Sequence, residues 1–353
     1  MALRIALVGG PLNEPMGRWL RPQGLEIVAN RDVANAPRRL SALLAAGEPI
    51  DLVTVAINQV AALSRHLVAL EPLVGIDGLS VRAAGMCTWD GHLYALPRAV
   101  DVRLLWARRD QVVDQPTNWE ELDAGGATFG FPGRGPELFH TFLENYLATG
   151  GRLIDDDGRP SYGTTKAAAS VAALVRLARL RAPSDQSTWR GDDVYGALSA
   201  GRVAMAQLGT LGWLRIRRSP YLSLLEPHPP LRGVSYGSGS CWAIPTTCTD
   251  LDRSVALLQL VTGTEANVVD ATAGMLPARL DAVDLVEHND AHEAIRLDLA
   301  RQAAGGLIAP RPHPHLPGFE ENAWRILNRA LRGELQPGDA AAALQQAATR
   351  ILS

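Results

Sequence analysis

Long apolar runs are missing from this chain of 353 residues. No stretch of about 18 apolar residues occurs, so no transmembrane helix is expected. An excess of basic charge is missing too: 34 Lys and Arg stand against 37 Asp and Glu, a net charge of −3. The concentrated Lys/Arg that nucleic acid or an anionic membrane surface demands is absent. Cysteine is scarce and odd in number, with only Cys87, Cys241 and Cys248. An odd count argues against a disulfide framework. Cys241 and Cys248 could pair across a turn, but free, buried thiols are the expectation. Phenylalanine is rare, five against eight Trp. Tryptophan is amphipathic and serves core positions near the surface as well as flat ligand-stacking surfaces.

Several chemical signatures are also missing. Gly9-Gly10 follows a strand-like segment, but Pro11 and Asn13 come next and the third glycine of a dinucleotide fingerprint does not. No phosphate-binding G-x-x-x-x-G-K-[ST] loop occurs. Gly237-Ser238-Gly239-Ser240-Cys241 does not match the G-x-S-x-G elbow and leads into a strand, so it reads as a turn or as glycines that bring backbone N–H groups close to a ligand. Asp155-Asp156-Asp157-Gly158 lacks the alternation and distal Glu of a calcium loop and reads as a solvated turn. His313 and His315, two apart in a Pro-rich run, read as part of a connector. No metal, cofactor or catalytic residue is expected. The first residues, MALRIALVGG, carry one Arg and an apolar run of roughly six residues, below the length of a secretory signal core, with no small-residue cleavage site after it. They read as a first buried strand, and the chain is either cytoplasmic or a mature form without its leader.

What is present suits a large globular protein. Hydrophobic residues are 47% and charged residues 20% of the chain, and its length exceeds what one core usually supports, so two lobes are expected. Strand-like Leu3–Val8, Leu25–Ala29 and Asp51–Ile57 alternate with helical patterns at Met16–Leu20, Ala36–Ala46 and Gln59–Ala69, the pattern of an α/β lobe with a largely parallel sheet. Further helices are expected from Thr117, which forms a capping box with Glu120, and over Leu138–Ala148, Lys166–Arg181, Val194–Ala200, Asp252–Val261 (capped by Thr249 and Asp252), Glu320–Arg332 and Asp339–Leu352, the last capped by Asp339. Phe129–Phe131, Arg202–Leu208 and Gly237–Pro245 read as strands. The stretch WDGHLYALPRAVDVRLLW, residues 89–106, leaves a turn, runs apolar, breaks at Pro97, sets Arg98 near Asp101 and turns apolar again at Leu104. A buried strand does not normally carry two opposite charges. The interruption is either a surface crossing or the floor of a polar site.

The ordered series WDGHLYALPRAVDVRLLWARRD, PTNWEEL, AGRVAMAQLG, GSGSCWAIP and TAGMLPAR, running over most of the chain through a final helix pair, resembles the extracellular solute-binding proteins of ATP-binding-cassette importers. It is most similar to their carbohydrate-binding family, which includes maltose-binding protein. The resemblance implies an α/β, type II periplasmic-binding-protein fold with two α/β lobes joined by crossing hinge strands. Lobe 1 is expected at 1–98 with 246–308 and lobe 2 at 103–242 with 312–353, with crossings near 99–102, 243–245 and 309–311. It implies capture of a small polar solute, a mono- or oligosaccharide, by lobe closure, for delivery to the permease subunits of an importer. A monomer outside the cytoplasm, without nucleic-acid partners, is expected. The implied ligand contacts are Asp101, whose carboxylate would accept from sugar hydroxyls, Arg98 beside it, Asn13 and Gln59 in loops after strands, Arg134, Trp213 as a stacking indole, Ser238, Gly239 and Ser240 at the second crossing, and Arg311 with Glu320 in the last approach. The usual aromatic position two residues before Trp213 holds Leu211, and Trp242 falls at a core aliphatic position and reads as packing. Two alternatives stay open: an anionic ligand held by an arginine clamp of Arg98, Arg134 and Arg311, and an intracellular sensor or enzyme built on the same fold.

Overall fold

The computed structural model describes residues 2–8, 13–30, 36–155, 157, 159–287, 291–308 and 311–352. The chain divides into two compact units. One comprises Met1–Asp101, Gly237–Arg301 and Ala309–Pro314, the other Val102–Tyr236, Gln302–Ile308 and His315–Ser353. In chain order the first unit holds β1 (Arg4–Val8), α1 (Glu14–Leu20), β2 (Glu26–Asn30), α2 (Ala36–Ala45), β3 (Leu52–Ala56), α3 (Val60–Leu63), α4 (Val81–Met86), β4 (Thr88–Trp89), β5 (His92–Leu93) and β6 (Leu96–Asp101). The second holds β7 (Arg103–Arg108), α5 (Trp119–Ala124), β8 (Phe129–Gly130), α6 (Pro136–Ala148), α7 (Thr165–Leu180), α8 (Gly191–Ser199), β9 (Met205–Gly209), α9 (Trp213–Ile216), β10 (Leu225–His228) and β11 (Ser235–Tyr236). The chain returns to the first unit for β12 (Ser238–Ala243), α10 (Leu251–Thr262), α11 (Thr264–Thr272), β13 (Leu276–Pro277) and most of α12 (Ala291–Ala304). It ends in the second with β14 (Leu307–Ile308), α13 (Leu316–Leu331) and α14 (Pro337–Ile351).

The first unit is built on a sheet ordered β13-β6-β12-β3-β1-β2. β1 runs parallel to β2 and β3, and β12 runs antiparallel to β3 and β6. Ile5, Leu52, Val53 and Val55 are buried, as expected for strands covered on both faces. Asp51, just before β3, is buried and fully used: Oδ2 accepts from the Arg4 N–H at 2.7 Å, and Oδ1 from the N–H and hydroxyl of Thr249, both at 2.8 Å. It ties β1, β3 and the approach to α10 together.

The second unit carries a sheet ordered β10-β7-β9-β8. Its core explains where the scarce phenylalanines went. Phe129, Phe131, Phe139, Phe142 and Phe319 all lie in it, joined by Tyr146 and Tyr162. Phe139 meets Phe319 edge-on at 5.3 Å between ring centres, one of the geometries the ring quadrupole favours. Carboxylates also enter this apolar interior. Glu144 is fully buried, and its oxygens accept from Gln207 Nε2 at 2.7 Å and the Tyr236 N–H at 3.1 Å, with Arg103 Nη1 at 3.5 Å. Burial pushes its carboxyl above the usual range, against the pull of Arg103 and these hydrogen bonds.

Several expectations are corrected here. The first division falls at Asp101/Val102, but the second falls at Tyr236/Gly237 rather than 243–245. The reason is pairing: all of β12 lies in the first unit's sheet, between β6 and β3. Residues 302–308 also pass to the second unit, because β14 pairs with β11. The third expected crossing includes 309 and 310, outside the described residues. The helix expected over Gln59–Ala69 is confined to Val60–Leu63 between 3₁₀ turns. The Ser64 hydroxyl donates to the Ala61 carbonyl at 3.0 Å and so competes with the helical ladder. Caps also shift. Asn118, not Thr117, caps α5 through Oδ1 and the Glu121 N–H, while Glu121 reaches back to the Thr117 N–H and hydroxyl. Asp250, not Thr249 or Asp252, caps α10. α14 begins at Pro337, with Gln336 at the cap position, and Asp339 sits inside its first turn.

Candidate functional site

The strand directions of the first unit's sheet place the carboxyl ends of β1, β3 and β6 at one end, together with the start of the antiparallel β12. Loops at the carboxyl ends of parallel strands are where α/β folds bind ligands. Six of the candidate residues gather there: Asn13 after β1, Gln59 after β3 with Asn58 beside it, Asp101 closing β6, and Ser238, Gly239 and Ser240 opening β12. Asp101 lies opposite Ser238 in the ladder, and the Ser238 hydroxyl donates to Asp101 Oδ2 at 3.2 Å. Asp101, Ser238, Gly239, Ser240, Asn58 and Gln59 are half-buried. Residues 9–12, between β1 and Asn13, lie outside the described residues.

Gly239 is required where it stands. Its φ is +153°, and a Cβ there would lie 2.1 Å from the Ala99 carbonyl oxygen. Only glycine lets β12 come this close to β6 beneath the Asp101–Ser238 pair.

The break that the sequence shows at Pro97-Arg98 is a β-bulge. Ser240 pairs with Ala99, but Cys241 pairs with Pro97, so Arg98 is the extra residue of β6 opposite β12. The bulge re-aims Arg98 into the unit. The residue is 3% exposed. Nε and Nη2 donate to Asp270 Oδ2 and Oδ1 at 2.8 and 2.7 Å, a bidentate pair with α11. Nη1 donates to Asn13 Oδ1 at 2.6 Å, and the guanidinium stands 4.9 Å over the Trp242 ring. Burial pushes the Asp270 carboxyl above its usual range, and Arg98 opposes that rise. Arg98 is therefore a tether rather than an open donor: it ties Asn13 and the start of α1 to α11 beneath the sheet end. Trp242 is fully buried and packs, as expected from its place in the series.

Of the remaining candidates, Arg134, Trp213 and Glu320 belong to the second unit and Arg311 to the first. Arg134 lies in the second unit, in the loop before α6. The N–H groups of Gly133 and Arg134 both donate to the Trp189 carbonyl, at 3.0 and 2.9 Å, and its side chain is exposed. Trp213, at the start of α9, is 1% exposed, and one ring face is covered by Trp106 of β7, with centres 5.9 Å apart and planes at 19°. Glu320 is buried on α13, with His140 Nε2 3.3 Å from its Oε1. Arg311 is exposed in the first unit. Among the described residues no group of three or more His, Cys, Asp or Glu could hold a metal ion, and no helix is long and apolar enough to cross a membrane.

A family model described as bacterial extracellular solute-binding protein matches residues 25–295, and the chain belongs to that family. Solved structures agree on the fold. The maltose-bound MalE3 of T. maritima is 18% identical over 98% of each chain, with a TM-score of 0.84. A solute-binding protein of Thermotoga lettingae bound with α-D-tagatose is 20% identical over the whole of both chains, with a TM-score of 0.85. One from Agrobacterium radiobacter in complex with ribitol is 16% identical over 99% of this chain and 98% of that one, with a TM-score of 0.82. The fold is thus the type II periplasmic-binding-protein fold that the resemblance implied.

Asp270 is the residue that sequence reading missed. It has no local signature, since its partner Arg98 is 172 positions away. The one available hint was negative: Arg98 sits in an apolar strand, and a buried cation there requires a distant carboxylate.

Proposed function

We propose that the chain captures a small neutral carbohydrate or polyol and hands it to the permease subunits of an ATP-binding-cassette importer, without chemical change to the solute. It acts outside the cytoplasm, as a monomer. The observation that carries this reading is the chemistry gathered at the sheet end. Asp101 is an acceptor of two oxygens, suited to adjacent hydroxyls. Ser238, Ser240, Asn58 and Gln59 each offer both donor and acceptor atoms. The arginine of the same strand, Arg98, is already taken up by Asp270 and Asn13, which argues against an arginine clamp for an anion. Three solved structures of the same fold carry maltose, tagatose and ribitol, all uncharged polyhydroxyl compounds.

The test is a calorimetric and thermal-shift screen of neutral sugars, polyols, sugar phosphates, sugar acids and amino acids. At least one neutral polyhydroxyl compound is expected to bind. Asp101→Ala is expected to weaken it about 10- to 100-fold, the loss of a charge-assisted hydrogen bond of about 1.5–3 kcal/mol. Binding confined to anions, or indifferent to Asp101→Ala, would overturn the reading.

A further inference from the structure

The hydrogen bonds beneath the first unit's sheet end run in one direction. Asp270 on α11 is buried, and both of its oxygens accept from Arg98, so it faces the guanidinium as a carboxylate with no proton to give. Arg98 carries only N–H donors. Its remaining nitrogen, Nη1, donates to Asn13 Oδ1 at 2.6 Å. A side-chain amide has one accepting atom and one donating atom, and a guanidinium can take only the first. The Asn13 side chain is therefore held with Oδ1 toward Arg98 and its two Nδ2 hydrogens on the other side. Turning it over would set those hydrogens against the ones on Nη1 and leave a buried cation with an unmet donor. Asn13 itself is half-buried. Asp101, closing β6, has the opposite polarity: its Oδ2 accepts from the Ser238 hydroxyl at 3.2 Å.

We infer that Asn13 serves the solute site as a hydrogen-bond donor only, and that Asp270 is the positioning residue that holds it so through Arg98. The inference deepens the capture function proposed above and rests on it. Asp270 acts on the solute only through Arg98, and all the residues involved belong to the first unit.

The relay selects a kind of solute. Asn13 needs an oxygen lone pair, from a hydroxyl, a ring oxygen or a glycosidic oxygen, and Asp101 needs a hydroxyl hydrogen. A neutral polyhydroxyl compound supplies both. An amino counterpart, with an ammonium where the hydroxyl met Asn13, has no lone pair there and sets hydrogens against hydrogens, so it is rejected. A deoxy counterpart loses one hydrogen bond and leaves the amide donor unpaired. An asparagine without a donor-only neighbour could turn over and suit either a hydroxyl or an ammonium. Arg98 removes that choice, and Asp270 holds Arg98 in the orientation that removes it.

The test is calorimetry on the full chain with maltose, D-tagatose, ribitol and any further neutral binder from the screen above, each beside its monodeoxy and amino-deoxy counterparts. Three variants are compared with the unsubstituted chain. Asn13→Asp keeps the side chain's size and an oxygen for Arg98, and turns an acceptor toward the solute. Asn13→Ala removes the amide. Arg98→Met combined with Asp270→Leu removes the relay and keeps the interior filled. For a neutral compound that binds the unsubstituted chain, at least one amino counterpart is expected to bind about tenfold more weakly or worse. Asn13→Asp is expected to reverse that preference, and the paired replacement to narrow it to roughly threefold or less. The deoxy compounds give a check free of charge effects: against Asn13→Ala, the parent and the deoxy counterpart that lacks the oxygen at Asn13 are expected to bind alike. Urea midpoints are measured beside the affinities. A tether that serves stability alone would weaken the neutral and amino compounds together and leave their ratio unmoved. If the paired replacement fails to fold, Asn13→Asp still decides. A ratio indifferent to Asn13→Asp, with the neutral compound still weakened by Asp101→Ala, overturns this inference and leaves the capture function standing. The absence of any neutral binder overturns both.

Discussion

Arg98 shows how a single residue can look like a ligand contact in sequence and act as a brace in the fold. Its charge stands three positions from Asp101, but the bulge turns it under the sheet end, where Asp270 takes two of its nitrogens and Asn13 a third. A buried pair of this kind is costly to break and cheap to replace as a whole. Asp270→Ala, which strands the guanidinium, is expected to lower unfolding free energy by about 3–5 kcal/mol in urea titrations. Arg98→Met combined with Asp270→Leu is expected to recover much of that loss. If both changes prove equally damaging, the tether is doing more than balancing charge. Glu144 makes a second residue-scale prediction. Its folded carboxyl is raised by burial, so the protein binds its proton more tightly than the unfolded chain does. The associated stability is complete below the ordinary carboxylate range and is lost as pH rises through the folded value. Urea midpoints measured from acid to neutral pH should show the unsubstituted protein losing ground to Glu144→Gln as pH rises.

At the scale of elements, the sequence pattern located most strands and helices because apolar periodicity is a local property. β1, β3, α6, α7 and the final helix pair fall within a few residues of where spacing put them. Caps were less legible, since the choice among Thr117, Asn118 and Glu121, or among Thr249, Asp250 and Asp252, depends on backbone angles that neighbouring polar residues satisfy almost equally well. The Pro97-Arg98 interruption was visible but its nature was not. A bulge is defined by the partner strand, and β12 lies far along the chain. Gly239 carries the prediction here. Gly239→Ala would drive a methyl group against the Ala99 carbonyl, and a loss of about 2–3 kcal/mol is expected by denaturant unfolding. Solute affinity should fall with it, because Ser238, Ser240 and Asp101 are set by the same strand contact. Unchanged stability would mean that β12 can shift without cost.

At the scale of the whole molecule, each unit closes its own core, and the chain changes unit at Asp101/Val102, Tyr236/Gly237, Arg301/Gln302, Ile308/Ala309 and Pro314/His315. The aromatic inventory is divided unevenly, with all five phenylalanines in the second unit. If the chain captures a solute in the manner proposed, the bound form is stabilised by mass action. The melting temperature should then rise with the logarithm of solute concentration, by about 2.7 kcal/mol of added stability at a hundredfold excess over Kd. A titration that binds by calorimetry but leaves the melting temperature unmoved would contradict it.

By itself the sequence determined the α/β class and the absence of an expected membrane span, through composition and local periodicity, while its resemblance to a known family supplied the candidate polar residues at strand ends. Only the tertiary structure decided which of those residues meet. It placed Ser238 opposite Asp101, gave Arg98 to Asp270 and covered one face of Trp213 with Trp106. Each of these is a contact between segments far apart in the chain, made where strands of one sheet pair or where a helix packs against a strand. Hydrophobic periodicity marks which face of a strand is buried, and it carries no information about which strand will lie beside it.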